Sequence, residues 1–186
     1  MRRTCLGAGA GLVLALATLT TTVTASASAS AADASGCPGA GDVPTRANLV
    51  EVRSAVLCLV NLERSRRGLE ALRLAVRLRD AAAHHSSDMV RRGYFGHLTP
   101  GGAGLGARLA RVGLRPGAAA ENIAWGLGAY STAQSIVDGW MRSPVHRANM
   151  LSRRYTLIGI GVALGAPGQE SADQPTATYT QVFAGR

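Results

Sequence analysis

The chain has 186 residues, with 20 arginines and no lysine against 11 acids, for a formal net charge of +9. Once an exported leader is set aside, roughly 150 residues remain, enough for one well-cored domain and too few for two. The basic surface suits the anionic polymers of a cell envelope; nucleic acid is not expected, because the arginines are scattered and no basic stripe interleaved with aromatics occurs.

Residues 1–31 read as a secretory signal peptide. Arg2 and Arg3 start it, Leu12 to Val23 supplies the apolar stretch, and Ala25-Ser26-Ala27-Ser28-Ala29 offers small-residue cleavage positions. The apolar run is shorter than the ~20 residues a bilayer needs, and no later segment is apolar enough to span. The mature chain is therefore expected to lack a transmembrane segment, to be secreted or held in the cell envelope, and to be a monomer. Residues 32–45 are small, polar and glycine- and proline-containing, as in a linker. Cys5 leaves with the leader, and the remaining Cys37 and Cys58 are expected to pair in an exported protein. That bridge would close a loop of about 20 residues and stabilise the fold by roughly 3 kcal/mol. The alternative is a lipid-modified Cys37, since Ala34-Ser35-Gly36-Cys37 loosely resembles a lipobox, although it lies well past the apolar core of the leader.

Thr45 reads as the N-cap of a helix over Arg46 to Arg67, closed by Gly68, with Leu49, Val52, Val56 and Leu59 at helical spacing. A second helix is predicted from Val76 to Arg92, stopping at Gly93. Leu74, Leu78, Ala81, His85 and Met89 form its apolar stripe, which points His85 inward and leaves His84 and Asp88 on the opposite, solvated flank. A short helix covers Leu105 to Val112, and a short strand lies near Asn122 to Trp125. Ser131-Thr132-Ala133-Gln134 fits a capping box opening a helix that buries Ile136, Val137, Trp140 and Met141. Ser143 and Pro144 occupy the N-cap and first position of another. Leu157 to Ala163 and Ala177 to Phe183 read as an antiparallel hairpin across the turn-rich stretch from Gly165 to Pro175. Helices first and strands last predict an α+β domain.

The chain has four histidines, and two of them, with one glutamate, occupy short polar islands in an otherwise apolar sequence. His97 lies in Phe95-Gly96-His97-Leu98-Thr99-Pro100, shaped by a glycine and a proline. Glu121 is the only acid between Asp88 and Asp138; set among alanines and Ile123, it must be exposed, paired with a histidine, or bound to a cation. His146 sits at the third position of the helix begun by Ser143, where the helix N-terminus disfavours its protonated form. A neutral imidazole serves either a metal or a general base, and the alternative is a histidine that completes the cap. Two histidines and a glutamate match an open zinc site in residue type, but they lack the close spacing of H-E-x-x-H. His85 on its apolar stripe is more simply a hydrogen-bonded core residue. Ser143 as a nucleophile beside His146 is the weaker reading of a Ser-Pro helix start. No G-x-S-x-G elbow, P-loop or dinucleotide fingerprint occurs, and no cysteine is placed as a nucleophile.

In order along the chain stand Asn61-Leu62-Glu63-Arg64 with Gly68-Leu69, His85-Ser86-Ser87-Asp88-Met89, Tyr94-Phe95-Gly96-His97 and Glu121-Asn122-Ile123-Ala124. Trp140, Ser143-Pro144-Val145-His146-Arg147-Ala148-Asn149-Met150-Leu151, Gly159-Ile160-Gly161-Val162 and Tyr179-Thr180-Gln181 follow. Together these resemble a bacterial secreted CAP domain (cysteine-rich secretory, antigen 5 and pathogenesis-related proteins, also called SCP), here residues 46–186. The resemblance implies an α-β-α sandwich around a central antiparallel sheet. It also implies a cleft where His97, His146 and Glu121 converge and can hold a divalent cation such as zinc. The inward apolar stripe, rather than the resemblance, places His85 to enlarge that cleft. Eukaryotic members carry a second glutamate three residues after the tryptophan, where this chain has Ser143, in Trp140-Met141-Arg142-Ser143. The function implied is binding of a lipid, sterol or cell-wall component without established catalysis. The alternatives are a metal-assisted hydrolase or peptidase in the same cleft, and an envelope-interaction module acting through its surface.

Overall fold

The computed structural model describes residues 36–168 and 174–185, so the expected signal peptide lies outside the described residues. The first helix, α1, spans Leu49–Ser65 and begins three residues later than Thr45 would dictate. The reason is local: the Asn48 side chain accepts from the Thr45 backbone N–H at 2.7 Å and folds the preceding residues into a turn. Gly68, with φ +63, turns the chain out of the helix as expected. A two-residue strand, β1 (Arg73–Leu74), precedes α2 (Val76–Arg92). Leu74 belongs to that strand rather than to the helical stripe, and it is exposed. The stripe itself holds: Leu78, Ala81, Ala82, His85 and Met89 are buried, and Gly93 closes α2 in the left-handed conformation. His84 is exposed, but Asp88 is not, because the loop after α2 brings Tyr94 onto it.

The elements α3 (Leu105–Arg111), β2 (Ala118–Leu127), α4 (Ala133–Arg142), α5 (Pro144–Leu151), β3 (Leu157–Leu164) and β4 (Thr176–Gly185) complete the domain. β2 is ten residues long, well beyond the four expected. The cap of α4 is Thr132, whose hydroxyl accepts from Ser135 N–H, one residue later than a Ser131 box requires. Ser131 is held inside a 3-10 turn, donating to the Gly128 carbonyl at 2.7 Å. Ser143 caps α5 by position alone, with Pro144 at its start.

The strands form one sheet in the order β1-β3-β4-β2. β3 and β4 are antiparallel, as are β4 and β2, while β1 joins β3 in parallel. Strand alternation sorts the two faces. Ile158, Ile160, Tyr179 and Phe183 point toward α1 and α4 and meet Val52, Val56, Ile136 and Trp140 in the larger core. Val182 and Ala184 point the other way, toward Leu78, Ala82 and Leu109. Helices thus cover both faces, giving the α-β-α arrangement. Cys37 and Cys58 form a disulfide that ties the start of the described chain to α1, and the Gln134 N–H donates to the Ala40 carbonyl, docking the same segment on α4.

One contact sets the spacing of the α2 layer. Gly159 and Gly161, alternate residues on the α2 side of β3, lie against the backbone of α2 at Leu78-Arg79 and Ala82-Ala83, with no room for a β-carbon. Gly161→Ala should therefore destabilise by about 1–3 kcal/mol through overpacking. Gly106→Ala, in α3 with open space around it, should be neutral or stabilising by up to about 1 kcal/mol. Urea denaturation of both variants checks the contrast, and equal midpoints would remove the close contact from the account.

Candidate functional site

β2 is an edge strand, bonded to β4 on one side only, and an edge must be covered. Here α4 and α5 cover it through side chains. Trp140 Nε1 donates to the Ile123 carbonyl at 3.2 Å, and Asn149 Nδ2 donates to the Glu121 carbonyl at 3.4 Å. Asn149 also donates to Asn122 Oδ1 at 2.9 Å, while Asn122 Nδ2 reaches the His146 carbonyl and Gln181 Oε1, each at 3.1 Å. This amide network holds α5, and hence His146, against the strand that carries Glu121.

Alternation turns the Glu121 side chain to the opposite face from Asn122, where α3 and the loop from Tyr94 to Gly104 meet it. Its carboxylate is buried and accepts on both oxygens. Arg108 Nη2 donates to Oε2 at 2.6 Å, and His97 Nδ1 lies 2.9 Å from Oε1. The Arg108 guanidinium, itself 3% exposed, also donates from Nη1 to the His97 carbonyl at 2.8 Å and the Ala103 carbonyl at 3.3 Å. One arginine therefore neutralises the carboxylate and pins the loop that carries His97. Facing a carboxylate oxygen, His97 Nδ1 carries the hydrogen in the neutral ring, so the Nε2 lone pair is turned outward; this side chain is 55% exposed.

His85, fully buried, approaches from α2. Its Nε2 lies 3.1 Å from the Gly96 carbonyl and 3.8 Å from Glu121 Oε1, so that nitrogen bears the hydrogen. Its Nδ1 is 3.4 Å from the Tyr94 hydroxyl, which donates to Asp88 Oδ2 at 2.7 Å. Burial, then the Asp88 carboxylate, pushes the Tyr94 phenol up to about 12. Burial pushes His85 below its ordinary value, Glu121 opposing and Arg108 assisting. Burial alone would raise Asp88, but the Tyr94 hydroxyl and the charges of Arg92, His84 and Arg91 hold its carboxyl below the usual value.

His146 is half-buried, and its ring makes no hydrogen bond among the described residues. Burial, and next the nearby charge of His97, pushes it below the ordinary imidazole value. The direction agrees with the helix-terminus argument, although the causes are burial and the neighbouring histidine. Ser143 lies one turn before His146 with its backbone N–H on the Gly139 and Trp140 carbonyls, and its hydroxyl bonds none of the site groups. Hydrogen bonds and charge thus link His97, Glu121, His85 and Arg108 directly, His146 through His97, and Ser143 only by sequence. Arg108 was absent from the expected set; the signal that could have found it is Glu121 itself, an isolated buried carboxylate for which an arginine is the best-matched partner. Among the described residues no group of three or more His, Cys, Asp or Glu is arranged to hold a metal. The donors left for a cation are His97 Nε2 and the His146 ring, with Glu121 behind His97.

Removing one member of the buried pair leaves the other charged and unpaired. Arg108→Met should therefore cost about 3–5 kcal/mol, and the double variant Arg108→Met/Glu121→Leu should recover most of it. A thermodynamic cycle from urea unfolding measures the coupling, and additive losses would sink the idea. The histidine shifts also set a pH dependence. With folded values below the ~6.5 of the unfolded chain, His85 and His146 make the unfolded state bind more protons as pH falls through that window. Stability should decline from about pH 6.5 downward, by up to ~1.4 kcal/mol per pH unit for each imidazole. The Asp88 contribution has the same sign in a lower window, present above ~3.9 and lost only as pH falls further. Unfolding measured in a chelating buffer between about pH 7 and pH 5 tests this, and a flat profile would contradict it.

Comparison with known proteins agrees with this architecture. The YkwD protein of Bacillus subtilis is 35% identical over 106 residues, covering 57% of this chain and 40% of its own length. The membrane protein YlbC of the same organism is 34% identical over 107 residues, covering 58% of this chain and 30% of its own. The chain therefore spans well under half the length of these curated relatives. Among solved structures, an extracellular SCP-domain protein of Bacillus anthracis superposes with a TM-score of 0.62 at 30% identity, covering 77% of this chain and 44% of that one. An outer surface protein of Borrelia burgdorferi shares the fold, with a TM-score of 0.57 at 17% identity over 77% of this chain and 96% of that one. The family model described as the cysteine-rich secretory protein family, CAP, matches residues 57–183, and the chain belongs to that family.

Proposed function

We propose that this CAP domain is a secreted, monomeric binding protein of the cell exterior or envelope. Its ligand is a lipid, sterol or envelope component, taken together with a divalent cation such as zinc at His97 and His146. The reading is carried by the state of Glu121: with Arg108 on one oxygen and His97 on the other, the carboxylate is an orienting group for an imidazole. A carboxylate behind a histidine fixes the tautomer that presents Nε2 to a metal. Such a cation would polarise an oxygen of the ligand. The exposed apolar side chains Phe95, Leu98 and Val145, each within two residues of one of the two histidines along the chain, suit the hydrocarbon part of a ligand. Among the described residues no helix is long and apolar enough to cross a membrane. The hydrolase alternative needs a carboxylate free to take a proton from water, and the contacts at Glu121 leave it little freedom to do so.

Zinc titration of the oxidised protein, followed by calorimetry, tests the site. His97→Ala/His146→Ala should abolish saturable binding, and Glu121→Gln should weaken it about 10- to 100-fold as an outer partner. Equal zinc affinity in wild type and the double variant would rule the histidines out as ligands. Turnover of an ester or peptide library that vanishes in Glu121→Gln would favour the hydrolase instead.

A further inference from the structure

The Asn61-Leu62-Glu63-Arg64 motif plays no part in the histidine site, yet Arg64 is 2% exposed. Its Nε donates to the Glu70 carbonyl at 2.7 Å, and its Nη1 to the Met150 and Ser152 carbonyls at 2.7 and 3.0 Å. These bonds satisfy carbonyls at the end of α5, where a cation also meets the negative end of the helix dipole. They leave Nη2 as the guanidinium nitrogen with no protein partner among the described residues, and it is not sealed from solvent. Arg64 lines a polar cleft of about 250 Å³ with Glu70, Ala71, Arg153, Tyr155 and Thr156.

The cleft holds two like charges without a neutralising contact. Neither Arg64 nor Arg153 has a carboxylate within ion-pair distance among the described residues, Glu70 included. Burial, then the charge of Arg153, lowers the Arg64 guanidinium, with Glu70 opposing. The Thr156 hydroxyl has no protein partner, while its backbone is fixed by bonds from Arg73 N–H and to the Ala184 carbonyl. Tyr155, stacked on Phe183 with ring centroids 5.7 Å apart, makes a rigid wall. A buried guanidinium edge beside a second arginine and a free hydroxyl matches the acceptors of an oxyanion.

We propose that this cleft binds an oxyanion, the phosphate or carboxylate group of a ligand, between Arg64 Nη2, the Arg153 guanidinium and the Thr156 hydroxyl. It stands at the opposite end of α5 from His146 and is independent of the histidine site.

Titration of the isotope-labelled, disulfide-bonded protein with inorganic phosphate and with acetate, each against sodium chloride at matched ionic strength, tests the site by NMR. Saturable shifts are expected at the Tyr155 and Thr156 amides, and whichever anion binds more tightly names the group. Because Arg64 also clamps α5, Arg153→Ala and Thr156→Val carry the test. Arg153→Ala should weaken binding about tenfold, Thr156→Val by less, Glu70→Gln should strengthen it, and His97→Ala/His146→Ala should leave it unchanged. Shifts no greater than those in chloride, undiminished affinity in Arg153→Ala, or loss of binding in the histidine double variant would each overturn the proposal.

Discussion

The structure depends on how closely α2 can lie on the sheet. Gly159 and Gly161 remove two side chains from the face of β3 that meets α2, and the helix backbone at Leu78-Arg79 and Ala82-Ala83 settles into the space. One turn further along, the same approach lets Ser86 donate to the Thr180 hydroxyl at 2.8 Å and carries His85 to within 3.8 Å of the Glu121 carboxylate. A helix held farther out by ordinary side chains would leave Ser86 buried without its sheet partners and take His85 away from Glu121. Close packing here is thus a condition for placing polar chemistry at the sheet edge.

At that edge the electrostatics are simple. One buried carboxylate faces one buried guanidinium, and the position that could have supplied a second acid is Ser143 in Trp140-Met141-Arg142-Ser143. The two charges offset one another before the histidines are considered, so the carboxylate acts on the rest of the site through His97. Arg108 does more than balance charge. By also holding the His97 and Ala103 carbonyls it makes the loop conformation and the state of Glu121 one problem, which is why loss of either member should be felt in stability.

Helix α5 works as a short plank fastened at both ends. The Asn122 and Asn149 amides hold its first turn and middle to β2, and Arg64 holds its final carbonyls to the end of α1. Its eight residues would have little helical stability alone, so the direction of His146 is set by these tertiary bonds. The residues that do this, Arg64, Asn122 and Asn149, all belong to the motifs by which the family is recognised. The histidine island is therefore only the visible part of a larger constraint.

Some features are properties of the local chain and could be read directly. The span of α2, its glycine stop, the inward turn of His85, the hairpin of β3 and β4 and the α+β order follow from periodicity and turn chemistry, which act over a few residues. Other features had no local signal. Two residues carry no alternation, so β1 was invisible, and polar residues three places and one place along shifted the caps of α1 and α4. Asp88 is buried only because the chain returns with Tyr94. Arg108 lies on a seven-residue helix, too short for its pattern to fix which side faces inward, and its partner belongs to a different element. The sequence alone thus determined the main helices, the β3–β4 hairpin and the family. Tertiary structure decided which charges meet, because that depends on surfaces brought together by packing, and packing is not a property of any single segment.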